Sequence, residues 1–295
     1  VDKRAIFMGL AFAFMWSSAF SSARIIVADA SPLFSLACRF LVSGVLGVII
    51  ARAMGQSWHL TRSQWYATIL FGVCQNALYL GLNFVAMQTV HASVAAIIAS
   101  TMPLLVGLAS WLLLGERLKP LGVLGLVAGF GGVAIIMGSR IGAGLDLFGL
   151  GLCGIGVLAL TFATLAVRGA TSGGNFMMIV GLQMLVGSAI LFAATPVFET
   201  IRINPTWPLA LAFAYTTLVP GLLATYIWFL LLDRIGPVRA ATFHFLNPVF
   251  GVAIAAALLG EPLGVWDGFG VLVVTLAILA VQVARRPPVK PARST

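Results

Sequence analysis

The sequence predicts an all-α polytopic membrane protein, with ten transmembrane helices in two inverted five-helix repeats. Three observations predict it. The chain is 61% hydrophobic and only 8% charged, against roughly 25% charged residues in a soluble domain. It offers ten apolar stretches, each close to the roughly 20 residues a helix needs to cross a bilayer core. Finally, "LLLGERL" at 112–118 returns as "ALLGEPL" at 257–263, 145 positions further on.

The first span, 5–27, follows Lys3 and Arg4 and contains "SSA" twice. A run this long, followed by nine more, reads as a retained anchor rather than a cleaved signal peptide. The second, 33–53, carries Arg39 about two turns from its start, and the third, 66–88, carries Asn76, Tyr79 and Asn83. The fourth, 92–114, has Pro103 near its middle, and the ninth, 238–259, has Pro248 at the matching place. A mid-helix proline removes a backbone hydrogen bond and clashes with the preceding turn, so both spans are expected to kink. The fifth, 119–139, contains "LGVLGLVAGFGGVAIIM" with no polar side chain, and the tenth, 264–284, has little beyond Thr275 and Gln282. Spans six, seven and eight are read at 146–168, 175–198 and 209–232.

The net charge of +9 follows from topology rather than from a nucleic-acid surface, which would need its basic groups clustered on a solvated domain. With the N-terminus inside, 13 of the 17 Lys and Arg fall on the inner side, from Lys3 and Arg4 through Arg234 to Lys290 and Arg293. This positive-inside bias places both termini in the cytoplasm. Cys38, Cys74 and Cys153 fall within spans, with no Cys or His at ligand spacing. Small apolar packing is their reading, and neither metal nor cofactor is expected.

Sliding the sequence over itself by 145 also pairs Pro103 with Pro248, Gly115 with Gly260, Glu116 with Glu261 and Gly125 with Gly270. Five spans per copy is an odd number, so the second copy enters the membrane from the opposite side. The units are 1–144, 145–284 and a basic, Pro-rich cytoplasmic tail at 285–295, drawn to membrane lipid. Inverted repeats of this kind place a small-molecule site at their interface near mid-membrane.

Two five-helix modules, each with a mid-helix Pro, an "LGE" 13 residues later and a Gly-rich helix after it, resemble the EamA-type transporters of the drug/metabolite transporter superfamily. With "MWSSAF" in the first span, the chain is similar to the exporters of aromatic and other amino acids that also move methyl viologen. The resemblance implies a multi-pass protein of the bacterial inner membrane that exports such substrates by alternating access.

Polar groups inside spans mark the faces that look inward. Trp16 and Ser17 in the first span, Thr161 in the sixth, and Tyr215 and Tyr226 in the eighth are cavity candidates. Asn76, Tyr79 and Asn83, at i, i+3 and i+7, share one helical face, although either Asn also suits plain interhelical bonding. Ala99 and Met102 of the first copy become His244 and Asn247 in the second, so the cavity is expected to be asymmetric. His244 is either substrate-facing or structurally satisfied. Arg39 has three readings: a partner for a substrate carboxylate, a snorkelling group, or a partner for backbone carbonyls. Glu116 and Glu261 are expected at membrane edges near the N-terminus of the following helix, with Pro103 and Pro248 as hinge or gate. Gly125 and Gly129 suit either ordinary packing or a homodimer face.

No Asp or Glu lies mid-span, and "GxxxxGK[ST]" is absent, which speaks for facilitative transport without ATP. A proton-coupled exporter of another small metabolite is the alternative, with His244 as its mid-span titrating group. An intramembrane enzyme is a further rival, but neither "HExxH" nor "GxSxG" occurs.

Overall fold

The computed structural model describes residues 2–115, 119–140, 146–166, 173–236, 240 and 242–284. Glu116 and the tail 285–295 lie outside the described residues. Among the described residues, ten helices are long and apolar enough to cross a membrane. They are α1 (Lys3–Asp29), α2 (Pro32–Ala53), α3 (Arg62–Phe71, Gly72–Leu80 and Gly81–Ala86), α4 (Ala92–Ser100 and Met102–Leu114) and α5 (Pro120–Arg140). Then follow α6 (Leu147–Ala166), α7 (Phe176–Phe198), α8 (Trp207–Leu218, Val219–Leu223 and Ala224–Ile235), α9 (Thr242–Leu246 and Asn247–Leu259) and α10 (Val265–Ala284). We call the face that holds residue 2 the N-terminal face and the opposite one the far face.

Glycine sets how the repeats meet. A Cβ on Gly181 of α7 would come within 2.8 Å of the Val48 amide nitrogen on α2, and one on Gly44 would come within 3.0 Å of the Gly181 carbonyl. The α5–α10 pair is built alike: Gly132 and Gly270 each lie against the other's carbonyl, at 3.1 and 2.9 Å from an added Cβ. Such close backbone approach supplies dispersion where hydrocarbon offers no hydrophobic drive. Gly125 faces the Ala277 carbonyl and Gly129 faces Leu104, so both glycines are used inside the chain and a homodimer face does not rest on them.

Both prolines stand at interruptions of regular α-helix. α4 breaks at Thr101, and Pro103 is the second residue of its second half. α9 starts with a 3₁₀ turn, Thr242–Leu246, and Pro248 is the second residue of the α-helix that follows. A first-turn position tolerates proline because its missing N–H has no intrahelical partner there anyway. Gly115 and Gly260 end these helices at φ 67° and 65°, the left-handed C-cap that glycine adopts without strain.

Two further breaks were not expected. α3 widens into a π-helical stretch over Gly72–Leu80 and α8 does so over Val219–Leu223. Under the shift of 145, Val219–Leu223 falls on positions 74–78, inside the first stretch.

Polar groups clasp the far face across the repeats. The Glu199 carboxylate accepts from the Leu33 and Phe34 amides at 3.1 and 2.7 Å, capping α2. The Glu261 carboxylate accepts from the Ala92 and Ser93 amides at 2.7 and 3.0 Å, capping α4. This corrects the expectation that Glu261 serves the helix after it: Gly260 turns the chain toward the first repeat, and Asp267 accepts from the Gly264 amide at the start of α10 instead. On the N-terminal face the Met178 amide of α7, the repeat mate of Leu33, donates to the neutral Gln56 at 3.0 Å.

Candidate functional site

α4 and α9 make their main contact at the far face. Ala92–Ser100 packs on Asn247–Leu259, whereas Met102–Leu114 packs on α5, α6 and α10. At the crossing, a Cβ on Gly251 would sit 2.6 Å from that of Ala96. Below it, a cavity of about 580 Å³ extends from mid-depth to Gln64 and Phe176 at the N-terminal face. A separate cavity of about 570 Å³, lined by Arg24, Asp29, His91 and Glu261 among others, occupies the far face. Among the described residues the central cavity is therefore one-sided, closed toward the far face by the α4–α9 crossing.

Of the sequence candidates, Trp16, Arg39, Asn76 and His244 line the central cavity. Trp16 stands in an aromatic wall with Phe12, Trp228 and His244. The Phe12 ring lies 5.6 Å from that of Trp16 and 4.7 Å from that of Trp228, and the His244 ring meets Phe12 edge-on at 5.2 Å. His244 Nδ1 lies 3.0 Å from Asn247 Nδ2, which orients the imidazole. Asn76 is fixed by Nδ2 donating to the Gln183 carbonyl at 2.9 Å and by Gly187, where an added Cβ would lie 2.4 Å from that of Asn76. Arg39 is buried. Its Nε donates to the Thr216 carbonyl at 3.3 Å, and its guanidinium lies 5.2 Å from the centre of the Phe40 ring.

The other candidates stand outside the lining. The π-helical stretch is the reason for Tyr79 and Asn83: a widened turn carries more residues per revolution, so the expected stripe loses its register beyond Asn76. Asn83 Nδ2 donates back to the Tyr79 carbonyl at 2.7 Å, and both pack against Gly156 of α6. Ser17 donates to the Asn247 carbonyl at 3.3 Å, the Tyr215 and Ser18 hydroxyls meet at 2.7 Å, and Thr161 donates back to the Val157 carbonyl at 2.8 Å. These hydroxyls join or complete helices. Tyr226 is 37% exposed on the outer surface of the bundle, and Asn247 reaches the cavity only through His244.

Sequence reasoning missed Gln75, Gln183 and Gln64, all of which line the cavity, whereas Thr164 of the sixth span, read with Thr161 as lining, does line it. Gln183 is the one amide in the apolar run "FMMIVGLQMLVGS", and the rule that singled out Asn76 applies to it equally.

An inverted-repeat membrane protein with a one-sided cavity between its repeats is built as a transporter of small molecules. The EamA-like transporter family model matches twice, at residues 3–138 and 147–282, and the chain belongs to that family. Its sequence is 26% identical to the uncharacterized transporter YvbV of Bacillus subtilis, over 91% of this chain and 88% of that protein. It is 26% identical to the uncharacterized inner membrane transporter YedA of Escherichia coli K12, over 90% and 87%. It is also 24% identical to protein PecM of Dickeya dadantii, over 88% and 87%. A protein of known crystal structure shares the fold, with a TM-score of 0.68 at 19% identity over 97% of this chain and 100% of the other.

Proposed function

We propose that this membrane transporter exports amino acids, aromatic and other neutral ones foremost, by facilitative alternating access, with units 1–144 and 145–284 rocking about the central cavity. The observation that carries the reading is the cavity itself: enclosed by both repeats, walled by Phe12, Trp16 and Trp228, and lined by no Asp or Glu among the described residues. Aromatic walls accept flat apolar bodies, and a site without carboxylates lacks the usual proton relay of coupled pumps. In this reading α4 and α9, hinged at Pro103 and Pro248, open and close the two faces, and Glu261 latches the far one. In this reading both termini lie in the cytoplasm of a bacterial inner membrane, an orientation that the distribution of Lys and Arg supports. A proton-coupled mechanism is the second reading, favoured by one observation: His244 lines the cavity.

Purified protein in liposomes tests both. Labelled Trp, Met, Thr and Lys, with methyl viologen as the cationic comparison, are followed with and without an imposed pH gradient. Saturable Trp and Met flux indifferent to the pH gradient is expected. Uphill flux driven by the gradient and abolished by His244→Ala would replace the facilitative version, and no amino-acid flux alongside activity on another metabolite would end the substrate assignment.

A further inference from the structure

Arg39 is a buried cation with an unanswered charge. Only its Nε is engaged, by the Thr216 carbonyl, and no described residue takes up its two Nη groups or forms an ion pair with it. A buried ion left without a counter-charge is costly, and intramembrane charges persist where they pair or face a functional path.

The surroundings hold the guanidinium in place without neutralising it. Phe40 supports it by a cation–π contact. The π-helical turn of α8 puts Gly221 beside it, where an added Cβ would stand 3.6 Å from Nη2, so this position places no side chain over the fork. The repeat mate of Arg39 is Met184, and that of Gly221 is Asn76. All four line the cavity, so the duplication gives a single charged end facing an apolar mate. With no Asp or Glu in the described lining, an ammonium group would find only neutral acceptors.

We propose that Arg39 is the anchoring group for a carboxylate, and that the transported species carries that carboxylate on an apolar, ring-bearing body seated against Trp16 and Trp228. This rests on the transport reading above and narrows it: the carboxylate, rather than the amino group, is the recognised charge. A dication such as methyl viologen is repelled from the deep end of the cavity. A planar guanidinium fork matches the geometry of a carboxylate with two parallel hydrogen bonds.

The test measures binding to the full-length protein by thermal shift and competition, independently of flux, with L-tryptophan, indole-3-propionate, tryptamine and phenylphosphate. In the wild type, tryptophan and indole-3-propionate should bind within a few-fold of each other, with tryptamine about 10- to 100-fold weaker, as the loss of charge-assisted hydrogen bonds requires. Arg39→Met, which installs the residue of the repeat mate, should weaken both carboxylates by a similar factor and leave tryptamine nearly unchanged, with Arg39→Lys in between. Tryptamine equalling tryptophan in the wild type overturns the proposal without any variant having to fold. So does an unchanged tryptophan affinity in folded Arg39→Met. Phenylphosphate binding where indole-3-propionate fails would also overturn it, by assigning the anion to a phosphate. Arg39-dependent binding of indole-3-propionate with no amino-acid flux would uphold this subsite while removing the amino-acid reading. Amino-acid flux indifferent to Arg39 would do the reverse.

Discussion

Replacing Gly251 with alanine tests what seals the far face. The new Cβ would lie 2.6 Å from that of Ala96, whereas carbon atoms settle at about 3.5–4.0 Å, so α4 and α9 must separate by about 1 Å. Overpacking of this kind costs about 1–3 kcal/mol. The cost falls on the conformation in which these helices touch, and a conformation with them apart is spared it. The ratio of sealed to open far face should therefore drop by about 5- to 150-fold. Ser21 of α1 reports it: the residue is fully buried, and α1 packs on α9. With Cys38, Cys74 and Cys153 replaced by alanine, a cysteine at position 21 should react with a maleimide at least about five-fold faster once Gly251→Ala is added. An unchanged labelling rate, in a variant whose thermal stability shows that the extra methyl is felt, would refute the crossing as the seal.

Glu261→Gln keeps the shape of the latch but leaves one carbonyl oxygen to serve two amides. It should lower the melting temperature in detergent and speed labelling at position 21, from a loss of about 1–3 kcal/mol; a melting temperature and labelling rate equal to those of the parent would show the latch idle. At the N-terminal face, the Asp2 carboxyl lies below its usual range, chiefly through the hydrogen bond from Arg234. A depressed carboxyl stabilises above its unfolded pKa and loses that contribution as pH falls through the folded value. The melting-temperature gap between wild type and Asp2→Asn should thus be steady from about pH 5 to 8 and close below about pH 3. A gap that persists in acid would mean that the contact acts without its charge.

Much of this architecture was legible because the bilayer imposes local rules. Each span must satisfy its own backbone, so apolar length alone located ten helices, and Pro103, Pro248, Gly115 and Gly260 did in the fold what their chemistry dictates anywhere. The site was less legible. Which polar face turns inward depends on the register of each helix, and the widened turn in α3 kept Asn76 at the cavity while placing Tyr79 against α6. Nothing in "GVCQNALYL" signals that turn, because it depends on packing against α6 and α7. Hydroxyls misled for another reason: Thr161 and Thr164 differ by one turn, both bond backward along α6, and only Thr164 lines the cavity. For Arg39, the sequence supplied three readings, and the headgroup reading fails because the side chain lies buried against Thr216.

The coincident π-helical turns show how closely the two halves match in backbone. A π turn widens the helix and is found frequently at functional sites, and both halves place one beside the central cavity, with Asn76 and Gly221 in its lining. Both belong to a backbone plan that the two halves share. The asymmetry of Arg39 against Met184 and Asn76 against Gly221 is laid over that shared plan, so the halves differ in side chains where they agree in backbone.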